Sequence, residues 1–518
     1  MFTRRTLIRS AGATALGAIG AIGAPAILRA QSWFRDTPFS LGVASGDPAP
    51  DGFVIWTKLA PEPYEQHGGM PMSTLPVAWE VSSDDRFATI VARGEALARP
   101  ELGHSIHVDV SGLEPDRPYW YRFQIGSERS LYGRARTLLR PGTAASSLKF
   151  GVCGCQNFES GYYTAYRHLA REDLAFVFHY GDFMYEYSPN YLFEQNLPVT
   201  KPREHRLREV FSLDDYRAHY AQHLLDLDLQ AARSRHAFLS TFDDHEIENN
   251  WVQDISQRRD VPAEVFALRR QAAMQAWYEH MPVRAAMFPR NGLIAVNRRL
   301  TYGNLMAMNL LDTRSFRSDQ PCDDGFKPFC PGVADPKAAV LGQAQEAWLD
   351  ASLGRKDATW TCLAQQIMMM PLDRRTRDDQ PEKILNIDSW ASYDAPRTRL
   401  MSRLGKIDNV VALTGDEHQN FAGLLYDKDK PVAAEFVSTS ISSGGDGQDV
   451  RAGSDKILAN NAQLKFVNDQ RGYTVCEVTP EAWKTHFMVM DKVSVPGGAI
   501  SRRATATVPR GQASLTIA

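Results

Sequence analysis

Three short runs dense in metal-ligating side chains, each beside an apolar stretch of strand character, constrain this chain more than any other feature. Gly181-Asp182-Phe183-Met184-Tyr185 follows the apolar residues 174–178, Thr241-Phe242-Asp243-Asp244-His245-Glu246 follows 237–239, and Thr414-Gly415-Asp416-Glu417-His418 follows 410–413. Side chains at the carboxyl ends of neighbouring strands converge, so three such runs can build one polynuclear site. A Gly-Asp step turns the backbone sharply, and an aspartate at a strand end can bridge two cations. Asp416 and His418 can converge on one ion from an irregular turn. Four consecutive ionisable residues at 243–246 are hard to place without partners. Together the runs suit metal-assisted hydrolysis.

At 518 residues, 43% hydrophobic and 23% charged, the chain reads as a soluble globular protein of more than one domain. Its formal net charge of -3 provides no polybasic field, which argues against nucleic acid as an obligate partner. Residues 1–30 read as an address. Thr3-Arg4-Arg5-Thr6-Leu7-Ile8-Arg9 precedes an Ala/Gly-rich segment, then Pro25 and a small-residue exit near Ala30. The pattern resembles a twin-arginine export signal. Its glycines and Pro25 make a poor membrane-spanning helix. The expectation is a periplasmic or secreted monomer, delivered folded by the twin-arginine machinery, with no further membrane span.

Cysteine usage fits an oxidising compartment. Cys322 and Cys330 bracket a Pro/Asp/Gly-rich loop at a spacing that permits a local disulfide. Cys362 and Cys476 lie in strand-like runs and read as small buried apolar residues. Cys153 and Cys155 stand too close in sequence for an unstrained bond.

Between residues 39 and 137, short β-rich runs at 53–57, 77–81, 104–110 and 119–123 alternate apolar and polar residues, predicting an all-β sandwich. Leu113-Glu114-Pro115-Asp116-Arg117-Pro118-Tyr119 resembles the immunoglobulin or fibronectin type III pattern in which a tyrosine closes a corner. Residues 140–147 read as a linker. Strands and helices then mix: strands at 148–152 and 174–179, a helix at 161–171, and an amphipathic helix at 263–281 that stops before Pro282. Polar, charge-rich loops are expected at 194–208 and 373–382. The expected organisation is a signal at 1–30, a β sandwich at 36–140 and an α/β layered sandwich at 147–518.

The order Cys155-Gln156, Gly181-Asp182-x-x-Tyr185, Asp244-His245-Glu246, Gly415-Asp416-x-His418 resembles the calcineurin-like metallophosphatase series, in the variant form of PhoD-like alkaline phosphatases. Supporting pieces are Gly42-Val43-Ala44-Ser45-Gly46-Asp47-Pro48, Asp215-Tyr216-Arg217, Leu311-Asp312-Thr313-Arg314 and Asp388-Ser389-Trp390. The resemblance implies an α/β layered metallophosphatase sandwich of mixed sheets with flanking helices, preceded by an all-β immunoglobulin or fibronectin III-like domain. It also implies hydrolysis of phosphoric esters.

Residue roles follow from the same resemblance. Asp182 is the bridging carboxylate, with Asp416 and His418 as further metal ligands. Asp244 stands where the wider pattern has asparagine, and a carboxylate there suits a hard cation such as calcium. His245 binds the phosphoryl group or protonates the leaving oxygen. Cys155 departs from the superfamily's Asp-x-His opening; with a tyrosinate its thiolate suits ferric iron. Tyr216 is favoured for that tyrosinate over Tyr185. Asp243 and Glu246 are additional candidates. Arg314 is either a phosphate clamp or a structural salt bridge. Fe3+ and Ca2+ are the expected cofactors, with zinc or manganese as replacements, and the substrate is a phosphate ester. A phospholipase D-like phosphodiesterase and a non-catalytic cell-envelope binding protein are the rival readings.

Overall fold

The computed structural model describes Phe34 and residues 36–194, 201–380 and 382–518. The export signal expected at 1–30 lies outside the described residues, as do residues 195–200 and 381 of the two expected charged loops.

Leu148–Cys153, Val177–His179 and Ala237–Ser240 run parallel, with Val177 opposite both Gly151 and Phe238. The two shorter strands are buried along their whole length, as parallel strands covered on both faces are. They sit inside a ten-stranded sheet. A seven-stranded sheet faces it, with Trp360–Ala364, Val410–Thr414 and Lys430–Val437 parallel at its centre. Phe150, Phe178 and Leu239 of the first sheet and Met308, Val411 and Phe436 of the second share one core. Leu213–Leu224 and Ala263–His280 cover the outer face of the first sheet, packing Tyr216, Tyr220 and Trp277 with Phe238. Gly342–Leu353 and Asp394–Leu404 cover the other, with Leu349 and Leu400 against Leu363 and Ala412. The order of layers is helix, sheet, sheet, helix, as expected.

The N-terminal region is the expected all-β unit. Its five-stranded sheet centres on Leu75–Ser82 and Pro118–Ile125, and Val77, Val81, Tyr121 and Phe123 pack against Phe53, Ile55 and Ile106. The Tyr119 hydroxyl accepts from the Glu114 amide at 3.0 Å, closing the corner read from Leu113-Glu114-Pro115. The opposing sheet is not private to this unit. Val43–Ala49, Gly52–Lys58 and Ser105–Val110 continue the ten-stranded sheet, with Ser45 opposite Ala237 in a parallel pair.

Two predicted elements shorten. The helix expected at 161–171 spans Thr164–Leu169: the Tyr162 amide donates to the Val493 carbonyl at 2.7 Å and Tyr163 is non-helical, with φ of -87° and ψ of 27°. The strand expected at 174–179 is Val177–His179. Ala263–His280 ends at Met281, extended ahead of Pro282. Cys322 and Cys330 are disulfide-bonded, and Cys362 and Cys476 are buried and free. Among the described residues no helix is long and apolar enough to cross a membrane.

Candidate metal centre

Each of four buried parallel strands ends in a tight turn that aims a ligand-type side chain at the seam between the sheets. Cys153 leads to Cys155, His179 to Asp182, Ser240 to Asp243 and Asp244, and Thr414 to Asp416 and His418. Cys155, Asp182, Asp416 and His418 all hold left-handed backbone, with φ of 50°, 53°, 67° and 53°. Non-glycine residues persist there only where their surroundings over-determine them, a conformation that gathers at functional sites. Two glycines permit the close approach. A Cβ on Gly154 or Gly415 would fall 2.3 or 2.2 Å from the Tyr180 ring, which is wedged between the two sheets.

Three overlapping groups result: Cys155, Asp182 and His418; Asp182, Asp244 and His245; Asp243, Asp244 and Asp416. Within each group the donor atoms lie within 4.8 Å of one another, and Asp182 and Asp244 are shared. Cys155 Sγ is 3.3 Å from Asp182 Oδ2. The Tyr185 hydroxyl is 3.0 Å from the same oxygen and 3.2 Å from His418 Nε2. Tyr216, favoured for the phenolate, is placed elsewhere. Its hydroxyl donates to the Ile247 carbonyl at 2.5 Å and accepts from Arg269 Nε at 3.1 Å, so the phenol at the cluster is Tyr185.

Charge explains what this cluster is for. Burial raises Asp182 and Asp416 far above the carboxylate range, and neighbouring carboxylates add to the effect. Burial and Asp182 do the same to the Cys155 thiol. Burial lifts Asp243 to about 6 against the pull of Arg314. Burial also opposes ionisation of Asp244, but Arg314 and His245 hold it below the usual range. Asp243 Oδ2 is buried with no hydrogen-bond partner. An orphaned carboxylate oxygen in a cluster of thiol, phenol, imidazole and carboxylates fits multivalent cations, which would supply the missing counter-charge.

The remaining residues hold this arrangement. Glu246, a ligand candidate from sequence, is occupied otherwise: it accepts from the amides of Asp182, Phe183 and Asp243 at 2.9, 2.8 and 2.9 Å, pinning two turns together. Burial raises its carboxyl to about 7 despite those donors. Arg314 has no exposed surface, and its guanidinium meets Asp243 at 2.5 Å, Asp388 at 2.8 Å and Asp244 at 3.3 Å. Of the two sequence readings the geometry fits the structural salt bridge, because a side chain so enclosed offers no free face to a phosphate. His245 Nδ1 is 2.8 Å from Glu186 Oε2, and its ring packs 4.1 Å from that of Tyr185. Burial opposes protonation of this imidazole, but Asp244, Glu186 and Asp182 outweigh it and raise its pKa. Burial, then Arg471, push His418 down to about 3.

Sequence reasoning missed Glu186, Ser443, Asn250 and Arg471. The Ser443 hydroxyl lies 2.7 Å from that of Tyr185 and 2.8 Å from the Cys155 carbonyl. The Asn250 amide donates to Asp244 Oδ2 at 2.8 Å, and Arg471 donates to the His418 carbonyl at 2.5 Å. Glu186 adjoins Tyr185 and so carried a positional signal; Ser443 sits in a polar loop that gave none.

A layered sandwich that gathers such side chains at its parallel strand ends defines a class, the metallophosphatase-like phosphoric ester hydrolases. The PhoD-like phosphatase family model matches residues 150–487, and that of the PhoD-like phosphatase N-terminal domain matches 24–139. Alkaline phosphatase D of Bacillus subtilis (strain 168) is 43% identical over 525 residues, spanning 99% of this chain and 89% of that protein. The solved structure of PhoD is similar with a TM-score of 0.90 at 43% identity, covering 93% of this chain and 92% of that one. A purple acid phosphatase from yellow lupin (Lupinus luteus) seeds shares the fold at a TM-score of 0.52 and 12% identity, over 90% of this chain and 74% of that one. The chain belongs to the PhoD-like phosphatase family and is a phosphoric ester hydrolase.

Proposed function

We propose that this chain is an exported, metal-dependent phosphoesterase of alkaline optimum that hydrolyses phosphate monoesters, diesters or both. The observation that carries the reading is the sharing of Asp182 and Asp244 among three donor groups. Cys155, Asp182, Tyr185 and His418 would hold a ferric ion, because thiolate and phenolate suit iron. Asp243, Asp244 and Asp416 would hold calcium. Such cations neutralise phosphoryl oxygens and lower the pKa of water, so no serine or threonine nucleophile is required.

The chain's own groups complete the site. Glu186 accepts a hydrogen bond from Nδ1–H of His245, which orients the ring so that Nε2–H can donate to a phosphoryl or leaving oxygen. The Tyr185 ring fixes the imidazole plane. Arg314 balances Asp243 and Asp244 from behind. Arg4 and Arg5 support twin-arginine export of a folded, metal-loaded monomer to the periplasm or beyond.

Elemental analysis of natively exported protein, paired with hydrolysis of p-nitrophenyl phosphate and bis(p-nitrophenyl) phosphate, tests this reading. Iron with calcium and turnover of either ester is expected. Fully active protein holding zinc alone overturns the metal assignment, and absence of turnover overturns the activity.

A further inference from the structure

The cleft that opens onto Asp416 and His418 encloses about 580 Å3 and runs past Arg374, Arg451, Asn250 and Phe326. Its two arginines are in different electrostatic situations. The Arg374 side chain is 6% exposed and sits 2.5 Å from Glu417 Oε1, and the same oxygen takes Asn386 Nδ2 at 3.2 Å. That pair is neutral and enclosed. The Arg451 side chain is 50% exposed, and its carboxylate partner is Asp469, at 2.8 Å.

Asp469 is already committed. Fully buried Arg471 donates to the same Oδ1 at 3.0 Å and to the Asp469 carbonyl. Two guanidinium groups therefore converge on one carboxylate oxygen, so the group of Arg451, Asp469 and Arg471 carries one positive charge in excess, at the edge of a cleft otherwise lined by Asp324, Asp388, Asp416 and the Glu417–Arg374 pair. The outer guanidinium is anchored by this one carboxylate contact, and its loop is packed at the backbone. Gly453, with φ of 85°, lets the Arg451 loop close on Thr376, where a Cβ would come within 2.7 Å of the threonine Cβ. A half-exposed guanidinium matches two oxygens of a phosphate or carboxylate at once. Phe326, 60% exposed, offers an apolar surface on the same cleft to the part of a substrate that joins two charged ends.

We propose that Arg451 is a specificity-determining residue that binds a second anionic group of the substrate, a phosphate or a carboxylate, while the first phosphoryl group occupies the floor at Asp416 and His418. The enzyme then selects phosphate esters whose leaving side carries another negative charge. This rests on the reading of the floor as the phosphoryl site.

The test uses the metal-loaded, full-length enzyme with alkyl monophosphates, alkanediol bisphosphates and ω-carboxyalkyl phosphates of graded chain length, reading released phosphate. Wild type should prefer a doubly charged ester at one chain length by about 10-fold or more in kcat/KM, the scale of one hydrogen-bonded charge pair. Arg451→Gln should reduce that ratio to near unity, chiefly through KM. Arg451→Lys, which keeps the charge, should restore part of it. No preference at any length, or an Arg451→Gln loss equal for singly and doubly charged esters, overturns the proposal. Wild type that hydrolyses bis(p-nitrophenyl) phosphate but releases phosphate from none of these monoesters overturns the proposal alone, whereas turnover of neither class fails the phosphoesterase reading and the proposal with it.

Discussion

Tyr185 and Tyr216 show how one hydroxyl's neighbours decide its role. Tyr216 spends its phenol on the Ile247 carbonyl and Arg269, which anchors the chain just beyond Glu246. Tyr185 aims at Asp182 and His418. Tyr185→Phe should therefore abolish any visible ferric-phenolate band and lower iron content, whereas Tyr216→Phe should keep the band; absorption spectra and metal analysis of both variants decide. A band that survives Tyr185→Phe and vanishes in Tyr216→Phe reverses this placement. Glu186 acts through His245, so Glu186→Gln should lower kcat about 10-fold to 100-fold with metal content retained, the range typical of partners that orient a catalytic or ligating imidazole. Loss of bound metal in that variant would show that Glu186 holds the cluster instead. Asp182, Asp244, Asp416 and His418 could be singled out in the sequence because each follows an apolar strand-like run at short range, whereas Cys155 was singled out only by the family resemblance. Glu186 to His245 and Ser443 to Tyr185 span 59 and 258 residues, and such contacts are made by the fold alone.

At the scale of elements, the ends of the strands matter more than their middles. Gly154 and Gly415 flank the Tyr180 ring from the two sheets, and Tyr180 donates to the Thr439 carbonyl at 3.0 Å. The ring fixes how far apart the two ligand-bearing edges lie. Gly415→Ala would place a methyl 2.2 Å from that ring. Overpacking of this kind costs about 1 to 3 kcal/mol or more. Gly354→Ala is the control: its backbone is right-handed helical and its nearest atoms stand 3.5 Å from the added Cβ, so its effect should stay within about 0.5 kcal/mol. Urea midpoints of the two variants measure the difference, and equal midpoints would show that Tyr180 yields without cost. The long helix and the strands that lead into the candidate site could be read from their apolar runs, whereas Met306–Leu310, Asn420–Asp427, Lys430–Val437 and Ala482–Met490 were not read. The later start of the 161–171 helix could not be read, because the Tyr162 amide pairs with the Val493 carbonyl from a distant part of the chain.

For the whole molecule, the change of pattern near residues 140–147 marks a boundary in sequence that the hydrogen bonds do not respect. Local alternation predicted a β sandwich, but pattern cannot say which strand a sheet edge will pair with, and the Val43–Ala49 edge pairs with Ala237–Ser240. Polar contacts reinforce the junction. Trp56 Nε1 donates to the Glu279 carbonyl at 3.0 Å, Lys58 lies 3.5 Å from the buried Glu279 carboxylate, and Asp47 accepts from Arg298 Nε at 2.9 Å. A fragment spanning 147–518 would leave Ala237–Ser240 as a bare apolar edge beside the ligand-bearing turn at Asp243, which is an invitation to aggregate. It would also remove the Asp47 partner of Arg298 and bring the buried Glu279 region to the surface. The fragment is expected to be insoluble, or soluble without bound metal and with no measurable phosphatase turnover, although every proposed ligand is present in it. Soluble yield, thermal midpoint and metal content of the fragment against the intact chain measure this. A fragment that folds, binds metal and turns over like the full protein would show that the shared sheet adds nothing to the catalytic unit, and that the N-terminal strands merely rest on an edge already complete without them.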